Sequence, residues 1–187
     1  IDIRNGHISW IDAQNQQEVE LKNFSLTTSS ITFGEFFTVS LNAETEVKQP
    51  QIKSVLSLSL EAKLEQSGQY AVKNLKISNN TSGKGIPVDS AKTSIELPSF
   101  ALEGNTINLP SLIIDYSVQG GADFPLKEAQ GKLQLTDLSG DIENQIFKAK
   151  SIQSQTDMAG DVIPGGKTSV SLSSSAEIDL QKQTAKL

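Results

Sequence analysis

A strand that alternates apolar and polar residues commits one side to a core. This chain breaks that alternation in the same way four times. The stretches are Val19-Glu20-Leu21-Lys22-Asn23-Phe24-Ser25-Leu26, Tyr70-Ala71-Val72-Lys73-Asn74-Leu75-Lys76-Ile77, Ile107-Asn108-Leu109-Pro110-Ser111-Leu112-Ile113-Ile114 and Phe147-Lys148-Ala149-Lys150-Ser151-Ile152-Gln153-Ser154. Each reads apolar, x, apolar, x, x, apolar, x, and then a residue that is apolar in three copies and Ser154 in the last. A regular strand would send the two apolar pairs to opposite faces. One inserted residue, in a bulge or short break, returns both to the same face. Breaks are therefore expected at Lys22-Asn23, Lys73-Asn74, Pro110-Ser111 and Lys150-Ser151. Pro110 has no N–H to give to a ladder, which suits an interruption. The copies begin roughly 40 to 50 residues apart, as repeated supersecondary units do.

Turn-forming clusters precede the copies: Gln14 to Gln17, Gln66-Ser67-Gly68-Gln69, Glu103-Gly104-Asn105-Thr106 and Glu143-Asn144-Gln145. The unit is thus strand, tight turn, broken strand, with hairpin turns near 14–17, 66–69, 103–106 and 143–145. Further strand signals run over Ile8 to Ile11, Phe36 to Leu41, Val55 to Leu64, Ile95 to Leu102, Leu112 to Val118, Leu133 to Leu138 and Val170 to Leu180. Longer loops are expected over Asn79 to Asp89 and Asp157 to Lys167, both rich in Gly and Pro. The one helical signal is a short turn within Ala122 to Gly131, with Asp123 as cap and Pro125 near its start. The fold expected is all-β: a curved antiparallel sheet of repeated hairpins forming a groove, or alternatively a β-sandwich. Residues 1–187 read as one β-rich repeat domain, with sub-units 1–90 and 91–187 conceivable. Ile1 opens the chain without Met, so a piece of a longer protein is expected.

The net charge of −6, with lysines and acids interspersed, argues against a nucleic-acid backbone as partner. No apolar run approaches the length of a membrane-spanning helix. There is no cysteine, so disulfides and thiol chemistry are excluded, while the compartment stays open. A hydrophobic share of 36% suits half-wetted antiparallel sheets.

Catalytic signals are sparse. His7 is the only histidine, and zinc needs three or four N or S ligands, so no metal is expected. Gly166-Lys167-Thr168 ends like a phosphate-binding loop, but Asp161 stands where the motif needs its first glycine, and Ser169 to Ser173 read as strand where it needs a helix. The acid pairs Glu44/Glu46 and Asp141/Glu143 fit a solvated sheet face better than a glycosidase cleft, since one Trp and two Tyr leave little to build a sugar platform. Glycosylation sequons at Asn23, Asn79 and Asn80 are chance-level matches. No nucleophile, base and orienter assemble, so neither an enzyme nor a cofactor is expected.

The opening Ile1-Asp2-Ile3-Arg4-Asn5-Gly6-His7-Ile8-Ser9-Trp10-Ile11-Asp12 leads to Val19 to Thr28 and then to Gly34-Glu35-Phe36-Phe37-Thr38-Val39-Ser40-Leu41. This order of segments, with Gly68 to Ile77 later, resembles the AsmA family of bacterial envelope proteins. Gly34-Glu35-Phe36 departs from the Gly-x-Pro-Phe that the resemblance leads one to expect. The resemblance implies a periplasmic, curved β-sheet with an apolar concave side, anchored in the inner membrane by a helix outside these residues. It implies a role in carrying phospholipid toward the outer membrane and in outer-membrane assembly, with no catalytic residues. Its partners would be phospholipid or another acyl lipid and neighbouring repeats of the same chain, with the membrane reached only through other regions. The residues expected to line the apolar side are Val19, Leu21, Phe24, Leu26, Tyr70, Val72, Leu75, Ile77, Ile107, Leu109, Leu112 and Ile114. A structural or adhesive β-sandwich would give these same residues to a dry core.

Overall fold

The computed structural model describes residues 1–14, 17–122 and 124–186. They form eleven strands: β1 (Asp2–Asp12), β2 (Gln17–Thr28), β3 (Phe36–Val47), β4 (Ile52–Leu64), β5 (Tyr70–Ser82), β6 (Val88–Glu103), β7 (Thr106–Gly120), β8 (Glu128–Asp141), β9 (Ile146–Ala159), β10 (Lys167–Asp179) and β11 (Thr184–Lys186). All belong to one antiparallel sheet, and spatial order equals chain order. Each strand touches only its neighbours in sequence among the described residues. The sheet is a meander of hairpins, not closed on itself. The sandwich alternative is therefore corrected, because a second layer would need strands that the single sheet has already taken.

Most strands outrun the apolar segments that announce them. The signal at Ile8 to Ile11 marks one end of β1, and β5 continues to Ser82, past the loop start expected at Asn79. Polar side chains make this extension cheap by finding partners within the sheet. Ser54 Oγ donates to Asn79 Oδ1 at 2.7 Å and lies 3.0 Å from Thr81 Oγ1. The loop beyond β9 likewise shrinks to 160–166. No helical turn forms among the described residues of the Ala122 to Gly131 stretch, where β8 already begins at Glu128. Its expected cap, Asp123, lies outside the described residues, as do Asn15 and Gln16 of the first expected turn. The turns at 66–69 and 143–145 fall between strands as expected, and that at 103–106 narrows to Gly104 and Asn105 between β6 and β7.

The breaks in alternation are real. Asn23 and Asn74 sit inside β2 and β5 with left-handed φ of 52° and 53°. Asparagine tolerates this region better than most residues. The ladders shift between Lys22 and Ser25 and between Ser59 and Glu61, because β3 and β4 alternate without interruption. At Pro110 the outcome is subtler. Ser111 pairs with Thr136 and Leu109 with Leu138, leaving no net shift, because β8 carries its own break at Asp137 (φ 50°). A further break in β6 at Pro98 stands opposite Asn74, since Lys73 pairs with Ser99 and Leu75 with Leu97. At Lys150-Ser151 the shift shows against β10, where Ser174 pairs with Ile152 and Ala176 with Ala149. From β5 to β9 the breaks line up as one seam across the sheet. Bulged strands bend and twist more strongly.

Candidate functional site

Residues directly opposite in a ladder share a face, so the pairings assign every side chain. One row runs Ile3, Leu26, Leu41, Leu58, Ile77, Ile95, Ile114, Leu133, Ser154, Leu172. It crosses ten strands and holds nine aliphatic residues. At about 4.8 Å per strand it extends roughly 43 Å. Nearer the other strand ends, Leu64, Tyr70, Leu102, Ile107, Gly140, Phe147 and Ile178 make a second row on the same face. Between them, flanking the seam, lie Leu75 with Leu97, Val72 with Phe100, and Leu112 with Leu135. None of these residues is charged.

The seam explains how one face collects them all. Without its extra residue β5 would turn either Val72 or Leu75 to the opposite side, and β7 either Leu109 or Leu112. All twelve residues expected from the sequence share this face. Most are half-buried, while Tyr70 is exposed. Phe37, Leu97 and Ala149, the three buried hydrophobic residues among those described, lie on it too. No strand covers this face among the described residues, so the shielding comes from side chains of neighbouring strands. At the outer strands that shielding fails: Trp10 is 53% exposed and Leu172 56%.

Two glycines make room on this face. A Cβ on Gly140 would stand 2.6 Å from the Phe147 ring, and one on Gly131 would collide with the Tyr116 hydroxyl. Tyr116 thus lies across Gly131, with its hydroxyl 2.5 Å from Thr156 Oγ1. Ser54, Asn79 and Thr81 form a second hydrogen-bonded polar cluster on this face, and Ala91, Val118, Ala129 and Met158 lie beyond both clusters.

The opposite face carries the charge. Lys22 bridges Glu20 at 2.5 Å and Glu46 at 2.7 Å, Lys48 bridges Glu18 at 2.6 Å, and Lys53 bridges Glu44 at 2.7 Å. The hydrogen bond from Lys22 holds the Glu20 carboxyl below its usual range, and that from Lys53 does the same for Glu44. Lys22 is correspondingly raised by its bonds to Glu20 and Glu46. Lys73 lies 4.3 Å from the centre of the Phe36 ring. A hollow of about 750 Å³ on this face is bordered by Asn80, Lys92, Asp115, Gln130, Lys132 and Asp157.

The acid pairs noted in the sequence are accounted for by these contacts. Glu44 and Glu46 belong to the ion-pair network, and Asp141 accepts from the Asn144 backbone N–H at 2.9 Å in the β8–β9 turn. His7 is exposed on β1, and Lys167 and Thr168 begin a strand rather than a helix. Among the described residues no group of three or more His, Cys, Asp or Glu side chains is gathered as a metal would need, and no helix is long and apolar enough to cross a membrane.

Sequence reasoning misses about two thirds of the apolar rows, including Ile3, Leu41, Leu58, Ile95 and Leu133. The signal is present. Ile95-Glu96-Leu97-Pro98-Ser99-Phe100 and Leu133-Gln134-Leu135-Thr136-Asp137-Leu138 carry the same broken pattern. Fold and faces together define a class: an open, single-layer β-meander with one face whose apolar rows carry no charge and one charged face. Comparison with known proteins finds no matching family model, no matching curated protein and no matching solved structure.

Proposed function

We propose that the chain is a non-catalytic, lipid-handling segment of an AsmA-like envelope protein, holding acyl chains against its apolar face. The observation that carries this reading is the aliphatic row across ten strands, with no layer over it among the described residues. A one-sided apolar sheet gains by burying that face. An acyl chain supplies about 0.8 kcal/mol for each CH₂ removed from water. Contacts with Leu, Ile and Val are non-directional, so a chain can shift along the row without leaving a deep well. The polar clusters at Asn79 and at Tyr116 with Thr156 suit a headgroup that stays hydrated. In this reading the protein works in the periplasm, tethered to the inner membrane through other regions. Neighbouring repeats prolong the sheet, and phospholipid passes between inner and outer membranes and supports outer-membrane assembly.

The test is organic extraction of the purified chain, alongside uptake of a fluorescent phospholipid from vesicles. The unaltered chain is expected to carry acyl lipid. Leu75→Asp and Leu109→Asp place a carboxylate on the half-exposed face, where it keeps part of its hydration. Both variants are expected to keep their β-type circular dichroism and lose most of the uptake. Folded variants that take up lipid at the original level would sink the proposal.

A further inference from the structure

The loop between β2 and β3 holds apolar side chains out in water. From Ile31 to Phe36 the chain reads Ile-Thr-Phe-Gly-Glu-Phe, so three of six residues are large and apolar. Ile31 is 54% exposed, Phe33 62% and Phe36 36%. Single exposed apolar side chains are ordinary on a protein surface, but three together on one loop mark a contact. The loop is also firmly built. Ser29 N–H donates to Thr38 O at 3.1 Å, and Thr38 N–H donates to Ser29 Oγ at 2.9 Å, which pins the base. Glu35 N–H donates to Thr32 O at 3.3 Å and closes a turn around Phe33. Gly34, in the left-handed region (φ 82°), donates to Leu64 O at 2.9 Å at the end of β4. The tip is thus tied to β4, three strands from β1, so the exposure of Phe33 does not depend on what adjoins the outer strand.

The charges around Phe36 and the tip are of both signs. Lys73 Nζ lies 4.3 Å from the centre of the Phe36 ring and Lys63 Nζ 5.7 Å, as cation–π attraction favours. Lys63 also bridges Glu65 at 2.6 Å, and Glu61 accepts from Asn74 Nδ2. Glu35 is exposed beside the tip. Three carboxylates against two ammonium groups leave no positive field to seek an anionic surface. They do match a zwitterionic headgroup layer, which offers phosphate to the lysines and amine to the acids.

We propose that Ile31 and Phe33 dip into the surface of a zwitterionic phospholipid bilayer, with Phe36 and the charges around it at headgroup level. A projecting tip needs a matching hollow on a folded partner, whereas a fluid bilayer accepts it without one. Two side chains also fall far short of the roughly 800 Å² that each partner buries in a standard protein interface. In a bilayer each of them gains simply by leaving water. Their combined apolar area is below that of a myristoyl chain, itself only a marginal anchor, so half-binding is expected at roughly 1 to 10 mM accessible lipid. The loop lies outside the apolar rows, so this docking holds whether or not that face takes up acyl lipid.

The chain has no cysteine, so Thr32→Cys, between the two tip residues, takes a single environment-sensitive fluorophore. Gln51→Cys, exposed in the loop at the opposite end of β3, serves as the control. On phosphatidylcholine vesicles the label at 32 is expected to brighten several-fold and shift to the blue, while that at 51 stays as in water. In vesicle flotation Phe33→Ser should lower binding at least about tenfold and Ile31→Ser about fivefold. Both side chains are exposed, so circular dichroism should stay unchanged. Leu75→Asp, on the acyl-holding face, should leave the signal at 32 intact even where it abolishes lipid uptake. Absence of a signal at 32 in about 10 mM lipid overturns the proposal. So does an equal signal at 51, binding indifferent to both serine variants, or binding confined to anionic vesicles. Loss of the signal in Leu75→Asp overturns it too, by placing the contact on the apolar face.

Discussion

Single asparagines decide which way this chain's side chains point. Asn23 and Asn74 take left-handed backbone angles in mid-strand, at the places where alternation skips a residue. A β-branched residue there would meet its own backbone, at a cost of order 1 to 3 kcal/mol. Asn74→Val is therefore expected to lower stability by about 1 to 2 kcal/mol in chemical denaturation. Asn74→Gly keeps the conformation open and loses only the exposed hydrogen bond from Asn74 Nδ2 to Glu61 Oε1 (2.8 Å), so it should stay within about 0.5 kcal/mol of the original. Equal losses for both variants would mean that the backbone angle is not what selects asparagine.

At the scale of the strand, the apolar pattern is the legible part. It places the broken strands β2, β5, β7 and β9, their breaks and the shared face of twelve residues. It underestimates strand length, because residues such as Asn79 and Thr81 look like loop formers until their cross-strand partners are known. It also misses the matched breaks at Pro98 and Asp137, which cancel the register shift and appear only when ladders are compared. The charged face reads in the sequence as solvated acids, whereas its ion pairs depend on which strands adjoin. That arrangement has a pH signature. Glu20 and Glu44 lie below their ordinary 4.5, held by Lys22 and Lys53. Asp141 lies below its ordinary 3.8 through the Asn144 N–H, and Asp179 through its hydrogen bond from Lys182. A carboxyl depressed on folding stabilises the fold fully above its unfolded value, and the gain is lost as pH falls through the folded value. The melting temperature should hold level above about pH 5 and decline below it, and Glu44→Gln should make that decline shallower. A melting temperature that rises on acidification to about pH 3 would contradict this assignment.

Taken whole, the molecule has the unusual property of a core with only one side. Its most buried hydrophobic residues lie on a face that nothing in the described chain covers, so the continuity of each cross-strand row matters more than any single contact. The row from Ile3 to Leu172 has one polar member, Ser154, seated between Leu133 and Leu172. Its half-buried side chain interrupts the field one strand inside β10. Ser154→Leu would complete the row, adding aliphatic cross-strand pairs on both sides, each worth about 0.2 to 1 kcal/mol. The fold should gain up to about 1 kcal/mol, read as a higher denaturation midpoint at unchanged slope. Retention of acyl lipid after extraction should rise with it, since the apolar path no longer meets a hydroxyl between β8 and β10. A lower midpoint would show that the space above Ser154 is already filled. A higher midpoint with lipid retention unchanged would show that the row serves the sheet alone, and the lipid reading would lose its main support.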